Sequence, residues 1–388
     1  MYNTIIKMAQ TIQMYDPKRE YNSHKEAIDN AINNVLNHGL FINGPEVKQL
    51  EASLREYVGV SDCICVSNGT DALKIALLAL DVTHGDEVIT VAHSWISTAE
   101  VIPLVGATPV FVDIDTETYN LDSSKLEAAI TPKTKAIIAV SLYGQMADFD
   151  AINAVAKKHN IPVIEDGAQS FGATYNGKRS CSVTTIGTTS FFPSKPLGCY
   201  GDGGACFTND SELGAKIRAI KGHGGIKRFH HKYIGLNARL DTIQAAILNE
   251  KLSYFDQTIK NRQACAAYYS ENLASLAEKG FKLPIVKNNC TSVWAQYSIL
   301  ANNKEQRDNI VSHLKNNNVN AAIFYPAPLQ KQECFQPWLN DTLENIDTKL
   351  INTNSVCDCV FNLPCYGEFT REEQDIVINL IRDFVHSN

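Results

Sequence analysis

From residue 71 to residue 166 the sequence interleaves short apolar runs with helical patterns, and this alternation constrains the fold more than any other feature. The runs are "EVITV" (87–91), "PVFVDI" (109–114), "KAIIAVSL" (135–142) and "IPVIED" (161–166). Each is short and apolar on successive residues, the pattern of a strand covered on both faces. The stretches "DALKIALLAL" (71–80), "STAEVIPLVG" (97–106), "SSKLEAAI" (123–130) and "DAINAVAKKHN" (150–160) carry apolar residues at helical spacing. Strand and helix in alternation predict an α/β fold, a mostly parallel sheet flanked by helices. Such sheets take ligands at the carboxyl ends of their strands. The residues at those ends are therefore the candidates for function.

At 388 residues the chain exceeds one ordinary core, so a large domain with a smaller companion is expected. Residues 15–60 read as helices, one stopping at Gly39 and the next carrying Pro45 in its first turn. After residue 238, "ARLDTIQAAILNEKLSYFDQTIKNRQACAAYYSENLASL" is one long amphipathic pattern that leads out of the sheet. The expected division is residues 1–250 for the N-terminal helices and large α/β domain, and 251–388 for a smaller α+β domain. Within the latter, "KNNNVNAA" reads as a helix-to-strand turn.

Composition narrows the partners. A chain 44% hydrophobic and 20% charged suits a soluble protein with a substantial core. Lys+Arg of 35 against Asp+Glu of 42 gives −7, which argues against nucleic acid or an anionic membrane as partner. The stretch "MYNTIIKMAQTIQMYDPKRE" lacks the apolar core of a signal peptide and no run reaches spanning length, so a cytoplasmic location is expected. The 11 cysteines are odd in number and scattered through apolar stretches, which fits reduced thiols. Cys63/Cys65 and Cys357/Cys359 are C-x-C pairs that would share one face of a strand. They read as core residues, and no metal is expected.

Several groups fall at strand ends. "CVSNGTDALKIALLAL" is a strand end, a turn and a helix start, where the N–H groups of Gly69, Thr70 and Asp71 form an anion nest or the turn merely caps the helix. "IPVIEDGAQSFGA" ends a hydrophobic strand on Glu165 and Asp166, with Gln169 following. A buried carboxylate there needs a hydrogen-bonding or cationic partner. A structural partner would serve, and so would the pyridinium nitrogen of pyridoxal phosphate (PLP). "TTSFFPSKPLGCYGDGGACF" (188–207) sets Lys195 in an apolar, glycine-rich turn after a probable strand, with Ser190 a further phosphate ligand. Bare, that ammonium is costly to bury; joined to an aldehyde cofactor as an imine it is not, and once released it shuttles protons. Glycines 198, 201, 203 and 204 would let backbone approach the cofactor. Trp95, in "AHSWISTAE", is either a stacking ring or a core residue. The basic cluster "KGHGGIKRFHHKY" (221–233) is a solvated loop or a guide for a substrate diphosphate, and His230 and His231 lack partners spaced to bind metal.

Taken together, "GPEV", "SNGTDAL", "GDEVIT", "PVIEDGAQSFGA", "SFFPSKPLGCYGDGG" and "GLNARLDTIQAAIL" resemble, over nearly the whole chain, the DegT-type PLP-dependent aminotransferases of nucleotide-linked keto sugars. The resemblance implies the aspartate aminotransferase fold, PLP-dependent transferase fold type I, with a seven-stranded-type sheet and a smaller C-terminal α+β domain. It implies Lys195 as the catalytic lysine that holds the cofactor, Asp166 on the pyridine nitrogen, Gln169 near the phenolic oxygen and Trp95 over the ring. Gly69, Thr70 and Ser190 would bind the phosphate. An asparagine from the neighbouring subunit, here Asn237, would complete that site, which implies a homodimer with shared active sites. Within the family the pattern looks most like the 3-aminotransferases of UDP-linked 2-acetamido-2-deoxy-3-oxo-glucuronic acid. Those use L-glutamate as donor and serve bacterial surface polysaccharide such as O-antigen. Arg239 would then meet a carboxylate of sugar or donor. Phe324 and Tyr325 would line the sugar pocket, although relatives often carry His where Phe324 stands. The rivals are a 3- or 4-aminotransferase for a non-uronic nucleotide sugar, a dehydratase (whose relatives place His where this chain has Lys195) and a non-catalytic regulator.

Overall fold

Each apolar run forms a strand, and three more join them. The computed structural model describes residues 11–387; residues 1–10, part of the stretch read above for a signal peptide, lie outside them. The central sheet contains β1 (Asp62–Val66), β2 (Glu87–Val91), β3 (Thr108–Val112), β4 (Thr134–Val140), β5 (Val163–Asp166), β6 (Ile186–Ser190) and β7 (Gly204–Thr208). Its order is β1-β7-β6-β5-β4-β2-β3, seven strands in all. From β6 to β3 neighbours run parallel; β7 runs antiparallel to both β6 and β1. Strand β7 has no alternation signal, because the glycines before it mask its start.

Period-two alternation divides the sheet's side chains between two cores. Cys63, Cys65, Ile89, Val91, Ile137, Ala139, Ala205 and Phe207 face one side, packed with Phe149 and Ile152 of a following helix and with Leu50 and Leu54 of helix Pro45–Val58. Ile64, Val66, Val88, Ala136, Ile138, Ile164, Ile186 and Cys206 face the other. There they meet α1 (Gly69–Ala79), through Leu73 and Ala76, and helix Ser211–Ile220, through Ile217. The expected helix stop at Gly39 is real: Gly39 caps at φ 71°, and Pro45 opens the next helix after Gly44.

A helix of 31 residues, α2 (Thr242–Asn272), joins this domain to a second core. Leu248, Phe255 and Ile259 pack under the sheet, while Cys265, Ala266 and Tyr269 pack in the smaller unit. That unit holds the antiparallel pair β8 (Tyr297–Leu300) and β9 (Val360–Leu363) with helices Lys304–Asn316 and Arg371–Ser387. The boundary expected at residue 250 thus falls inside α2, and Ile12 pairs with Val319 and packs into the smaller core. We propose the division between Ile259 and Cys265, with Ile12 assigned to the smaller unit. Two local readings change. Cys357 and Cys359 end helix Ile351–Cys359 rather than sharing a strand face. The polar turn after helix Lys304–Asn316 leads to single bridges at Val319 and Ala322, with no strand between them.

Candidate active site

The carboxyl ends of β1, β4, β5 and β6 open into a cavity of about 570 Å³. Gly69, Thr70, Trp95, Asp166, Gln169, Ser190, Lys195, Phe324 and Tyr325 all line it. Its floor is set by backbone approach. Ser190 and Val66 both stand opposite Gly204 across the ladder, and α1 starts directly above them. A Cβ on Gly69 would come to 2.7 Å from the Ser190 Cβ, and one on Gly204 to 2.5 Å from the Asn68 carbonyl. Glycine is required at both places by protein packing. The same holds for Gly198, whose missing Cβ would strike the carbonyls of Phe192 and Pro193. Gly201 and Gly203 face Gln244, Leu240 and Cys199. The expected reason for these glycines, room for a cofactor, gives way to close contact within the chain.

Helix α1 presents its N-terminus to this floor. Asn68 is the cap: its Oδ1 accepts from the Asp71 N–H at 2.7 Å. The anion nest therefore loses Asp71 and keeps Gly69 and Thr70, whose N–H groups have no acceptor among the described residues. Thr70 Oγ1 shares a hydrogen bond of 2.7 Å with Ser97 Oγ.

Asp166 ends β5 nearly fully buried. Thr98 Oγ1 donates to its Oδ2 at 2.7 Å and the Ala168 N–H to its Oδ1 at 3.2 Å. Ser94 in turn lies 2.8 Å from Thr98 Oγ1. The carboxylate is held at one orientation by donors, as a partner for a cation or an N–H must be. Its neighbour Glu165 points to the opposite face, accepting from Ser141, Ser180 and the Cys181 N–H, and burial pushes its pKa up. Gln169 is committed within the wall: Oε1 accepts from the Tyr143 N–H at 2.9 Å, and Nε2 donates to the Tyr325 hydroxyl at 3.2 Å.

Lys195 follows β6 in a turn closed by its own N–H to the Phe192 carbonyl. Its side chain has no hydrogen bond or ion pair to any described residue. Burial pulls its pKa below the usual lysine value, and the Asp166 carboxylate opposes that pull. Trp95 stands at the mouth, 57% exposed, its ring 6.3 Å from that of Tyr325. Asn237 and Arg239 are not brought in. Neither lines the cavity, Asn237 is exposed, and the Arg239 guanidinium has no partner among the described residues.

Three contributors leave no mark in the sequence pattern. Thr98, on Asp166, is an ordinary helix residue. His93 is fully buried, with Nε2 2.8 Å from the Tyr143 hydroxyl and Nδ1 3.2 Å from Cys357 Sγ; Tyr143 then donates to the Phe324 carbonyl. Gln296 lines the cavity from the smaller unit. Only Asn68 was findable, as the N-x-x-D cap in "SNGTDAL".

The model of the DegT/DnrJ/EryC1/StrS aminotransferase family matches residues 22–382. The chain belongs to this family. The aminotransferase is 55% identical over 321 residues, 83% of this chain and 88% of the other, to the UDP-2-acetamido-2-deoxy-3-oxo-D-glucuronate aminotransferase of Pseudomonas aeruginosa. It is 37% identical to the UDP-N-acetyl-3-dehydro-alpha-D-glucosamine 3-aminotransferase of Acidithiobacillus ferrooxidans, covering 97% of this chain and 98% of that one. Among solved structures it superposes on NtdA of Bacillus subtilis with bound cofactor PMP at a TM-score of 0.89 and 33% identity, covering 97% of this chain and 86% of that one. The aminotransferase is PLP-dependent. The residues fit such a cofactor: a helix N-terminus with two open N–H groups, a buried oriented carboxylate and an unpaired amine share one cavity.

Proposed function

We propose that this aminotransferase transfers the amino group of L-glutamate to UDP-2-acetamido-2-deoxy-3-oxo-glucuronic acid, giving the 3-amino sugar and 2-oxoglutarate. The carrying observation is the meeting of an unpaired Lys195, an oriented Asp166 and the open N-terminus of α1 in one cavity. The Pseudomonas relative, 55% identical to the chain, is named for this substrate, and that supports the choice. When bound, pyridoxal phosphate supplies the electron sink that loosens the hydrogen on an amine-bearing carbon and carries the amino group between substrates.

The chain's own residues do the rest. The Gly69 and Thr70 N–H groups and Ser190 hold the phosphate, with the α1 dipole behind them. Asp166, oriented by Thr98, would face the ring nitrogen and favour a proton there. Lys195 holds the cofactor at rest. Burial lowers its pKa from the usual lysine value, toward the neutral amine that takes the α-proton of glutamate and later delivers one to the sugar. Gln169 would lie beside the phenolic oxygen, and Trp95 and Tyr325 would wall the ring from water. Phe324 and Tyr325 contact the sugar.

We further propose a homodimer in which Asn237 and Arg239 complete the neighbour's site, the first at the phosphate and the second at a carboxylate. The exposed hairpin of Gly225–Lys227 and His230–His231 offers Lys227, Arg228 and Lys232 to the UDP diphosphate. No helix among the described residues is long and apolar enough to cross a membrane; we assign the reaction to the cytoplasm and to surface-polysaccharide (O-antigen) synthesis. A second reading, a neutral 3-keto sugar, is favoured by the Acidithiobacillus relative. Purified enzyme loaded with PLP should lose its visible absorbance on adding L-glutamate. It should then turn over the UDP-linked 3-keto uronic acid faster than its neutral counterpart. Equal or inverted rates would give the neutral sugar the site, and no response to glutamate would end the reading.

A further inference from the structure

Gln296 lies one residue before β8 and lines the active-site cavity together with Phe324 and Tyr325. Behind it is a small cavity of about 20 Å³ bordered by Tyr143 and Trp294. No described residue hydrogen-bonds to either end of its carboxamide, and its Oε1 is buried without a partner. The polar groups around it are committed. Gln169 is held by Tyr143 and Tyr325, and Tyr143 by His93 and Phe324. Asn362 binds the Phe324 N–H at 3.0 Å and Ser298 at 2.7 Å. A buried amide left unpaired is costly, and native chains rarely keep one without a use for it. On this wall the free hydrogen-bonding capacity belongs to Gln296.

Its chemistry selects the ligand group. A carboxamide donates and accepts at once, and its terminal torsion is soft, so either end can be presented. It is matched by a neutral group that also does both; a carboxylate only accepts. The substrates named for the two relatives above share an acetamido group beside the 3-oxo carbon and differ in being glucuronate or glucosamine. Lys195 must reach carbon 3, so carbon 2, one bond from the reacting centre, carries its substituent within the inner cavity. We infer that Gln296 is a specificity-determining residue that pairs with the 2-acetamido group of the sugar. The inference rests on the nucleotide-sugar reading above.

The test uses PLP-loaded enzyme and three unreactive probes: UDP, UDP-glucuronic acid and UDP-2-acetamido-2-deoxyglucuronic acid. Wild type should bind the acetamido sugar more tightly than UDP-glucuronic acid. Gln296→Met, close in length and apolar, should cut that preference about tenfold, the worth of one well-made hydrogen bond. It should do so by weakening the acetamido sugar alone, with the Kd of UDP unmoved. Gln296→Glu keeps the shape and an acceptor but loses the donor, and should lower the same ratio; it decides the matter if the Met variant does not fold. A ratio unmoved in the variants, or equal weakening of both sugars, overturns the inference while the substrate reading stands. Wild type that binds none of the UDP compounds overturns the substrate reading and the inference with it.

Discussion

Lys195 owes its proposed reactivity to where it is placed. An amine in water is charged at neutral pH; one held in a cavity after a strand end, with a single carboxylate opposing the desolvation, is shifted toward the neutral base that proton transfer needs. Lys195→Ala should therefore reduce turnover by about a thousandfold or more. The same variant should lack the visible band of cofactor held by lysine, and a variant that turns over normally would remove the lysine from the mechanism. His93 shows desolvation acting on stability. Burial lowers its pKa from the usual 6.5 to about 3. The folded value lies below the unfolded one, so the neutral ring contributes fully above pH about 6.5, and that contribution is lost as pH falls toward 3. The Tyr143, Tyr325 and Cys357 protons around it are all pushed upward and do not titrate in that window. Each pH unit of such a shift is worth about 1.4 kcal/mol. Thermal melts should show the wild type losing stability steeply from pH 6.5 to 4. His93→Gln should start lower at neutral pH, by about 1–3 kcal/mol for its broken contacts, and decline less steeply. Parallel slopes would exclude His93 as the titrating group.

At the scale of elements, the site is a meeting of strand ends with one helix start, and the sequence made that much readable. Short continuous apolar runs set between helical patterns read as strands buried on both faces, so β2, β4 and β5 and the position of Asp166 at a carboxyl end followed from the pattern. The turn "SNGTDAL" likewise announced a helix N-terminus. Contacts made across long separations left no trace: Thr98 reaches Asp166 over 68 residues, and Tyr143 reaches Phe324 over 181. No local pattern marks either threonine or tyrosine as different from a packing residue. The glycines after Lys195 were visible but their reason was not, since only the folded chain shows that carbonyls, at Gly198 and Gly204, and side chains, at Gly201 and Gly203, fill the space. Gly69→Ala tests the junction itself. Its new Cβ would meet Ser190 at 2.7 Å, so α1 must shift from β6. The variant should lose about 1–3 kcal/mol in stability and hold PLP at least about tenfold more weakly, measured by cofactor retention on dialysis. Full retention would mean that the helix start does not bind the phosphate.

For the whole molecule, the open question is why two polar residues offered by the family resemblance, Asn237 and Arg239, lie outside the cavity they should serve. Their surroundings carry the answer. Ile42 bridges to Asp241 and the Phe41 carbonyl accepts from the Thr242 N–H, so the segment Leu40–Ile42 lies against the chain just after Arg239. Leu40, Phe41 and Ile42 are 56%, 47% and 49% exposed, and Ile234 is 95% exposed. We propose that these exposed apolar groups belong to an interface; a two-fold contact there would place each protomer's arginine near its partner's cavity. Lys195→Ala and Arg239→Ala would each be inactive or nearly so as pure dimers. Mixed after reversible dissociation, half of the dimers would be hybrids. In each hybrid one site takes its lysine from the Arg239→Ala chain and its arginine from the Lys195→Ala chain. Activity should therefore return to about a quarter of wild type, a recovery that requires sites shared across a two-fold interface. If Arg239 served its own chain's site, every hybrid site would lack one residue or the other, and the mixture would stay as inactive as its parents. Size-exclusion chromatography with light scattering on the same samples, together with a tagged-chain pull-down, would confirm that hybrids had formed, so a silent mixture would count against shared sites and not against exchange.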